Sequence, residues 1–128
     1  MKQITKQLKQ DIQSFDTIEE RLKHLKNRYK DETAYIVTCG PSLATHNIEQ
    51  LKSKLQDKLV ISLKQAQNIL EEETDFHLMS TYNLSPYSWG NDNITLWQVS
   101  KSYANNQLQK IVNLNAPIDL YVPVINPP

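Results

Sequence analysis

The segment AYIVTCGPSLATHNIEQL, Ala34 to Leu51, joins a four-residue apolar run to a Cys-Gly-Pro-Ser turn and then to a helical pattern. The chain has only 2 glycines in 128 residues, and one of them, Gly40, stands at this turn. A glycine kept so sparingly is expected where a side chain would obstruct a close approach. Pro41 stiffens the turn and removes one amide, and Ser42 offers a hydroxyl and an amide near a helix start. Those groups suit a phosphate oxygen.

On either side of the turn the pattern alternates. Ala34 to Val37 reads as a buried strand, continuous in polarity, and Ile48, Leu51 and Leu55 then share one helix face. Leu59 to Ile61 is a second apolar run, followed by Ala66, Ile69 and Leu70 at helical spacing. Phe76 to Met79 and Ile94 to Val99 read as the third and fourth strands, Ala104 to Val112 as a helix, and Ile118 to Val122 as a fifth strand. That last run alternates, which suits an edge. Continuous apolar strands interleaved with helices predict an α/β fold, a Rossmann-like, mostly parallel sheet of about five strands.

Two helices are expected ahead of the sheet. Ile4, Leu8, Ile12, Phe15, Ile18, Leu22, Leu25 and Tyr29 form one apolar stripe, and Thr17-x-x-Glu20 is a capping box that splits it at about 3–13 and 17–29. Residues 1–30 carry eight Lys/Arg against four Asp/Glu, while the formal charge of the whole chain is zero. The reading is therefore an N-terminal helical segment, 1–30, and a nucleotide-binding domain, 31–128. The basic helices are a solvated face that could also dock on a protein partner. Zero net charge disfavours nucleic acid as a partner.

A single cysteine excludes an internal disulfide framework and a cysteine-rich zinc site. No long apolar span or signal-peptide core is present, so a soluble, cytoplasmic protein is expected.

The strand ending in Gly40-Pro41-Ser42-Leu43, followed by a helix and a second apolar strand, resembles a known superfamily. Its members include the bacterial sialyltransferases of the Campylobacter type, motility-associated glycosyltransferases and archaeal-type 6-hydroxymethylpterin diphosphokinases. In these a GPSL loop after the first strand contacts the nucleotide. The resemblance covers roughly residues 34–84 and implies nucleotide-binding roles for Cys39, Gly40, Pro41, Ser42 and Leu43. It further implies Ser62 and Lys64 after the second strand, with Gln65 in the same region, and Ser80, Thr81 and Asn83 after the third. Cys39 stands where the sialyltransferases usually have asparagine, which is closer to the glycosyltransferase and pterin-kinase branch. The later histidine and tyrosine of the sialyltransferases have no match, and with the ending VINPP this implies a C-terminally shortened relative.

The function so implied is nucleotide-linked group transfer, most simply glycosyl transfer from a nucleotide sugar, with no bound cofactor and no identified catalytic base. One alternative is a diphosphokinase, which would need Mg²⁺ on carboxylates such as Asp75 or Asp92. Another is a non-catalytic binding or structural module. Other residues carry weaker signals. Cys39 could be a nucleophile, with His46 as the nearest base, but reads as a small loop residue. His46 reads as a solvated first-turn residue, His77 as packed in the sheet and His24 as surface. The dispersed histidines give no metal-ligand spacing. The acidic run Glu71 to Asp75 reads as a solvated turn. Tyr82, Tyr87 and Trp89 form either a stacking lid or a loop folded over the sheet end.

Overall fold

The structure, a computed structural model, describes residues 2–38, 40, 47–79, 93–99 and 119–123. It is α/β, with a parallel sheet whose strands run in chain order: β1 (Ala34–Val37), β2 (Leu59–Leu63), β3 (Phe76–Met79), β4 (Ile94–Val99) and β5 (Leu120–Pro123). Because the order never reverses, the described sheet has no topological switch point. The helix expected at Ala104 to Val112 lies outside the described residues.

Alternation along β2 shows how the sheet divides its two faces. Leu59 and Ile61 join the cluster of Leu8, Ile12, Phe76, Ile94 and Leu120 on one face. Val60 packs with Leu55 and Leu70 on the other. The first face is covered by α1 (Gln3–Gln13) and α2 (Ile18–Leu25). The second carries α3 (Ile48–Leu55) and the single turn α4 (Ala66–Ile69). Thr17 caps α2 by accepting from Glu20 N at 3.2 Å, and Asn47 caps α3 by accepting from Gln50 N at 3.2 Å. Tyr29 meets the Phe76 ring edge-on, with centroids 5.8 Å apart.

α1 lies across the amino ends of the strands rather than along them. Lys2 Nζ donates to the carbonyl of Lys58, just before β2, and pairs with Asp75, just before β3, at 2.8 Å. Lys9 Nζ donates to the carbonyl of Asn93, just before β4, at 2.7 Å and lies 3.3 Å from Asp119, just before β5. Lys2 and Lys9 are separated by about 10.5 Å of helix rise, and two inter-strand steps span about 9.6 Å. The helical repeat thus matches the strand spacing, which fixes the crossing direction.

Asp75 and Asp119 make the same construction at two strands. Each carboxylate accepts a backbone amide from the preceding strand, Val60 N at 2.9 Å and Thr95 N at 2.9 Å. Each main-chain amide returns a bond to that residue's carbonyl, at 3.0 Å and 3.1 Å. Thr5 Oγ1 donates to Asp75, and Gln13 Nε2 donates to Asp119 at 3.0 Å.

This clamp corrects three expectations. The buried face of α1 is Thr5, Leu8, Lys9 and Ile12, whereas Ile4 is 73% exposed. The acidic run is not a solvated turn either: Glu71 and Glu72 are exposed, but Glu73, Thr74 and Asp75 are buried. Finally, β1 is not a buried strand. Ala34, Tyr35 and Ile36 are exposed, Ile36 at 62%, because β1 sits at the sheet edge and α1 begins its cover at β2.

Candidate functional site

In a parallel sheet, side chains that can meet a ligand gather where strands lead into loops. Val37, the last residue of β1, is level with Ser62 on β2, and Ser62 is level with His77 on β3 and His77 with Thr95 on β4. In-register parallel partners share a face, so Ser62, His77 and Thr95 form a polar row on the α3–α4 side at the height where β1 ends. All three are buried, at no more than 1% exposure.

Each member of the row has a distinct local arrangement. Ser62 Oγ lies 2.6 Å from Thr74 Oγ1, which is also bonded to the Leu70 carbonyl at 2.6 Å. This hydroxyl chain ties β2 to the segment after α4. His77 Nε2 lies 2.9 Å from the carbonyl of Lys64, so that nitrogen carries the proton and donates. Burial away from water pushes the imidazole pKa below its ordinary 6.5, partly offset by this bond, and favours the neutral ring. Thr95 Oγ1 has no hydrogen-bond partner among the described residues.

Lys64 organises the turn at the end of β2. Its backbone is left-handed, φ 48°, a conformation that non-glycine residues adopt at a cost. Its amide donates to the Leu78 carbonyl at 3.0 Å, and its carbonyl accepts from both Gln67 N at 3.3 Å and His77. The Lys64 side chain is exposed beside this junction. Gln67, on α4, is 0% exposed, and neither its Nε2 nor its Oε1 has a partner among the described residues. A buried polar group left unpaired costs about 1–3 kcal/mol.

Of the residues that the sequence nominates, Gly40, Ser62 and Lys64 lie in the described structure. Gly40 is half-buried, beyond the end of β1. Ser62 is sealed within the sheet against Thr74, while Lys64 stands open to solvent. Cys39, Pro41, Ser42, Leu43, Ser80, Thr81 and Asn83 lie outside the described residues, as do His46, Asp92 and the aromatic run Tyr82, Tyr87 and Trp89. Gln67 and Thr95 were missed by the sequence reading. Their only signal is a polar residue inside an apolar segment, and it acquires meaning once the strand register is known.

The amino end of the sheet has a different character. A groove of about 520 Å³ there is lined by Ile4, Tyr29 and Leu59 together with Lys2, Lys58 and Glu32. Burial, with Asp75 nearby, raises the Tyr29 pKa above its ordinary 10.0. Asp75 also borders this groove, at the end opposite the loops that follow the strands. Asn93, whose amide atoms likewise have no partner among the described residues, sits under α1 at this same end.

Among the described residues, no three His, Cys, Asp or Glu side chains are grouped to hold a metal ion. None of the described helices is long and apolar enough to cross a membrane. Compared with known proteins, the chain matches no family model, no curated protein and no solved structure.

Proposed function

We propose that the chain is a nucleotide-binding group transferase of the GPSL type, in the first instance a sialyltransferase-like glycosyltransferase that uses a nucleotide sugar. The observation that supports this reading is that the sequence Gly40-Pro41-Ser42-Leu43 follows shortly after β1, whose last residue is level with the buried row Ser62, His77 and Thr95. Gly40 to Leu43 hold the nucleotide phosphates or ribose, and Lys64, the exposed cation at the adjacent strand end, offsets phosphate charge. Ser80, Thr81 and Asn83 complete the surround from the third strand. Transfer proceeds by inverting displacement at the anomeric carbon: the acceptor oxygen forms its bond there as the bond to the leaving nucleotide phosphate breaks.

Two features of the fold weigh the alternatives. A diphosphokinase needs carboxylates for Mg²⁺ near the phosphates, and Asp75 instead sits at the amino end of β3, committed to Lys2, Thr5 and Val60 N. A non-catalytic module gains support from the strand order, because the GPSL loop follows an edge strand rather than a mid-sheet switch point.

Thermal-shift measurements with CMP, UDP, GDP, ADP and ATP, each with and without Mg²⁺, test the reading. A ligand that binds only the native state raises the melting temperature. A metal-independent CMP or UDP shift that Ser42→Ala abolishes is the expected result. A Mg²⁺-dependent ATP shift would transfer the assignment to the kinase, and no shift at millimolar nucleotide would leave the binding module.

A further inference from the structure

We propose that the chain pairs with a second copy of itself through β1, the two strands lying antiparallel about a two-fold axis at Ile36, so that two sheets join into one. This pairing is independent of the nucleotide-binding reading.

The first argument is the contrast between the two edges of the sheet. β1 and β5 stand at opposite ends of the strand order, and among the described residues no strand pairs with the outer side of either. An edge strand presents unpaired amides and carbonyls, which charges or prolines ordinarily keep from pairing with another chain. β5 includes Pro123 among its four residues, and proline has no amide to donate. β1 reads AYIV, and residues 33–38 contain neither a charge nor a proline. One edge is thus guarded and the other open. Joining β1 of one copy to β5 of the next would build a filament, and Pro123 opposes it; pairing through β1 alone closes as a dimer.

The second argument is symmetry. A two-fold axis normal to the sheet sets β1 antiparallel to its own copy and keeps the same face upward in both. Residues opposite one another then share a face, so their numbers differ by zero or an even count. With the axis at Ile36, Ile36 meets its own copy, Tyr35 meets Val37 and Ala34 meets Thr38. Aromatic and β-branched side chains make favourable cross-strand pairs, and no like charges are opposed. Ile36 is 62% exposed and Tyr35 44%, so this register puts the more open side chain at the centre of the seam.

The third argument is the apolar surface beside the edge. Ile36 is level with Ile61 and therefore lies on the α1–α2 face of the sheet. Ile4, 73% exposed, lines the groove on this face with Leu59, which is level with Ala34. Two open isoleucines thus lie on the face that the axis continues into the second copy. The seam is only four residues long, about 13 Å. The pair accordingly belongs with the small interfaces, under about 1,200 Å², that dissociate on dilution.

Sedimentation velocity of the whole chain, from micromolar to millimolar concentration, tests the proposal. The wild type should pass from monomer to dimer. Ile36→Lys and Ile36→Glu each oppose like charges on the axis and should weaken the dimer about fivefold or more. An equal mixture of these two variants should regain it, because opposite charges then face each other. In a Cys39→Ser background and a glutathione redox buffer, Ile36→Cys should form a disulfide-linked dimer, since opposed antiparallel Cα atoms lie about 4.5–5.5 Å apart, within disulfide reach. Glu49→Cys, exposed on α3, should not. A wild type that stays monomeric at millimolar concentration overturns the proposal. So does a mixture no more dimeric than its components, or a dimer that Ile36→Cys fails to cross-link. Should the charged variants unfold, the cross-link decides by itself.

Discussion

Lys9 and Asp119 lie 3.3 Å apart at the amino end of the sheet, both side chains nearly withdrawn from water. A buried pair is costly to break by halves, because removing one partner strands the other charge. Asp119→Asn keeps an acceptor for Thr95 N but leaves Lys9 unneutralised, and should lower unfolding free energy by about 3–5 kcal/mol. Adding Lys9→Met should recover part of that loss. Urea denaturation of the two single variants and the double variant provides the check, and strictly additive losses would show that the two charges do not interact.

His77 makes stability depend on pH in a definite direction. Its folded pKa is lowered from 6.5, chiefly by burial and against the opposing bond to Lys64. Below that ordinary value the unfolded chain therefore binds more protons than the native one. The contribution is complete above about pH 6.5 and is lost as the pH falls below it and on through the folded value. Melting temperature should consequently drop on acidification through this window, and the slope should flatten in His77→Gln. Imidazole titration followed by NMR should show a midpoint for His77 below that of an exposed histidine.

Lys64 separates a backbone role from a side-chain role. Glycine adopts a positive φ without strain, so Lys64→Gly should leave stability unchanged or raise it by up to about 1 kcal/mol. If the proposed function holds, removing the cation at the end of β2 should nevertheless weaken nucleotide binding several-fold. Chemical denaturation and nucleotide titration on the same variant read the two effects separately. A large loss of stability would mean that the lysine side chain has a packing role.

The exposed edge gives a different expectation. β1 presents Ile36 to solvent and carries neither a charge nor a proline along Ala34–Val37, the devices that ordinarily block edge-to-edge pairing. Ile36→Lys should change unfolding free energy by less than about 0.5 kcal/mol and reduce self-association at high concentration. Light scattering over a concentration series measures it; a cooperative loss of folding would instead mean that Ile36 is held in the core.

Much of this architecture is written in local patterns. The Thr17 cap is visible from Thr17-x-x-Glu20, and β1, β3 and β4 are visible as apolar runs, because capping and strand formation depend on neighbours in sequence. What the residues do not reveal is how far each run lies from the sheet edge. Ala34 to Val37 resembles the interior strands in composition, yet its exposure follows from strand order, a property of the whole chain. The buried face of α1 is hidden for a related reason. Thr5 and Lys9 become interior only because Asp75 and Asp119, distant in sequence, wait at the strand ends. Read locally, the lysines belong on the surface and Ile4 inside. The polar row has the same cause: Ser62, His77 and Thr95 are separate polar residues until the parallel register aligns them.

The clamp also sets an order of events during synthesis. Arg21 binds the Asp119 carbonyl across 98 positions of sequence, and Gln13 reaches the Asp119 side chain across 106. A ribosome adding about 5–20 residues per second needs roughly 5–20 s to cover that separation. Throughout that interval the first helix has been made and its last partner has not. A segment of 11 residues is too short to hold a stable helix in water by itself. The amino-terminal segment therefore lacks its full set of partners until the strand starts bearing Asp75 and then Asp119 have followed it out.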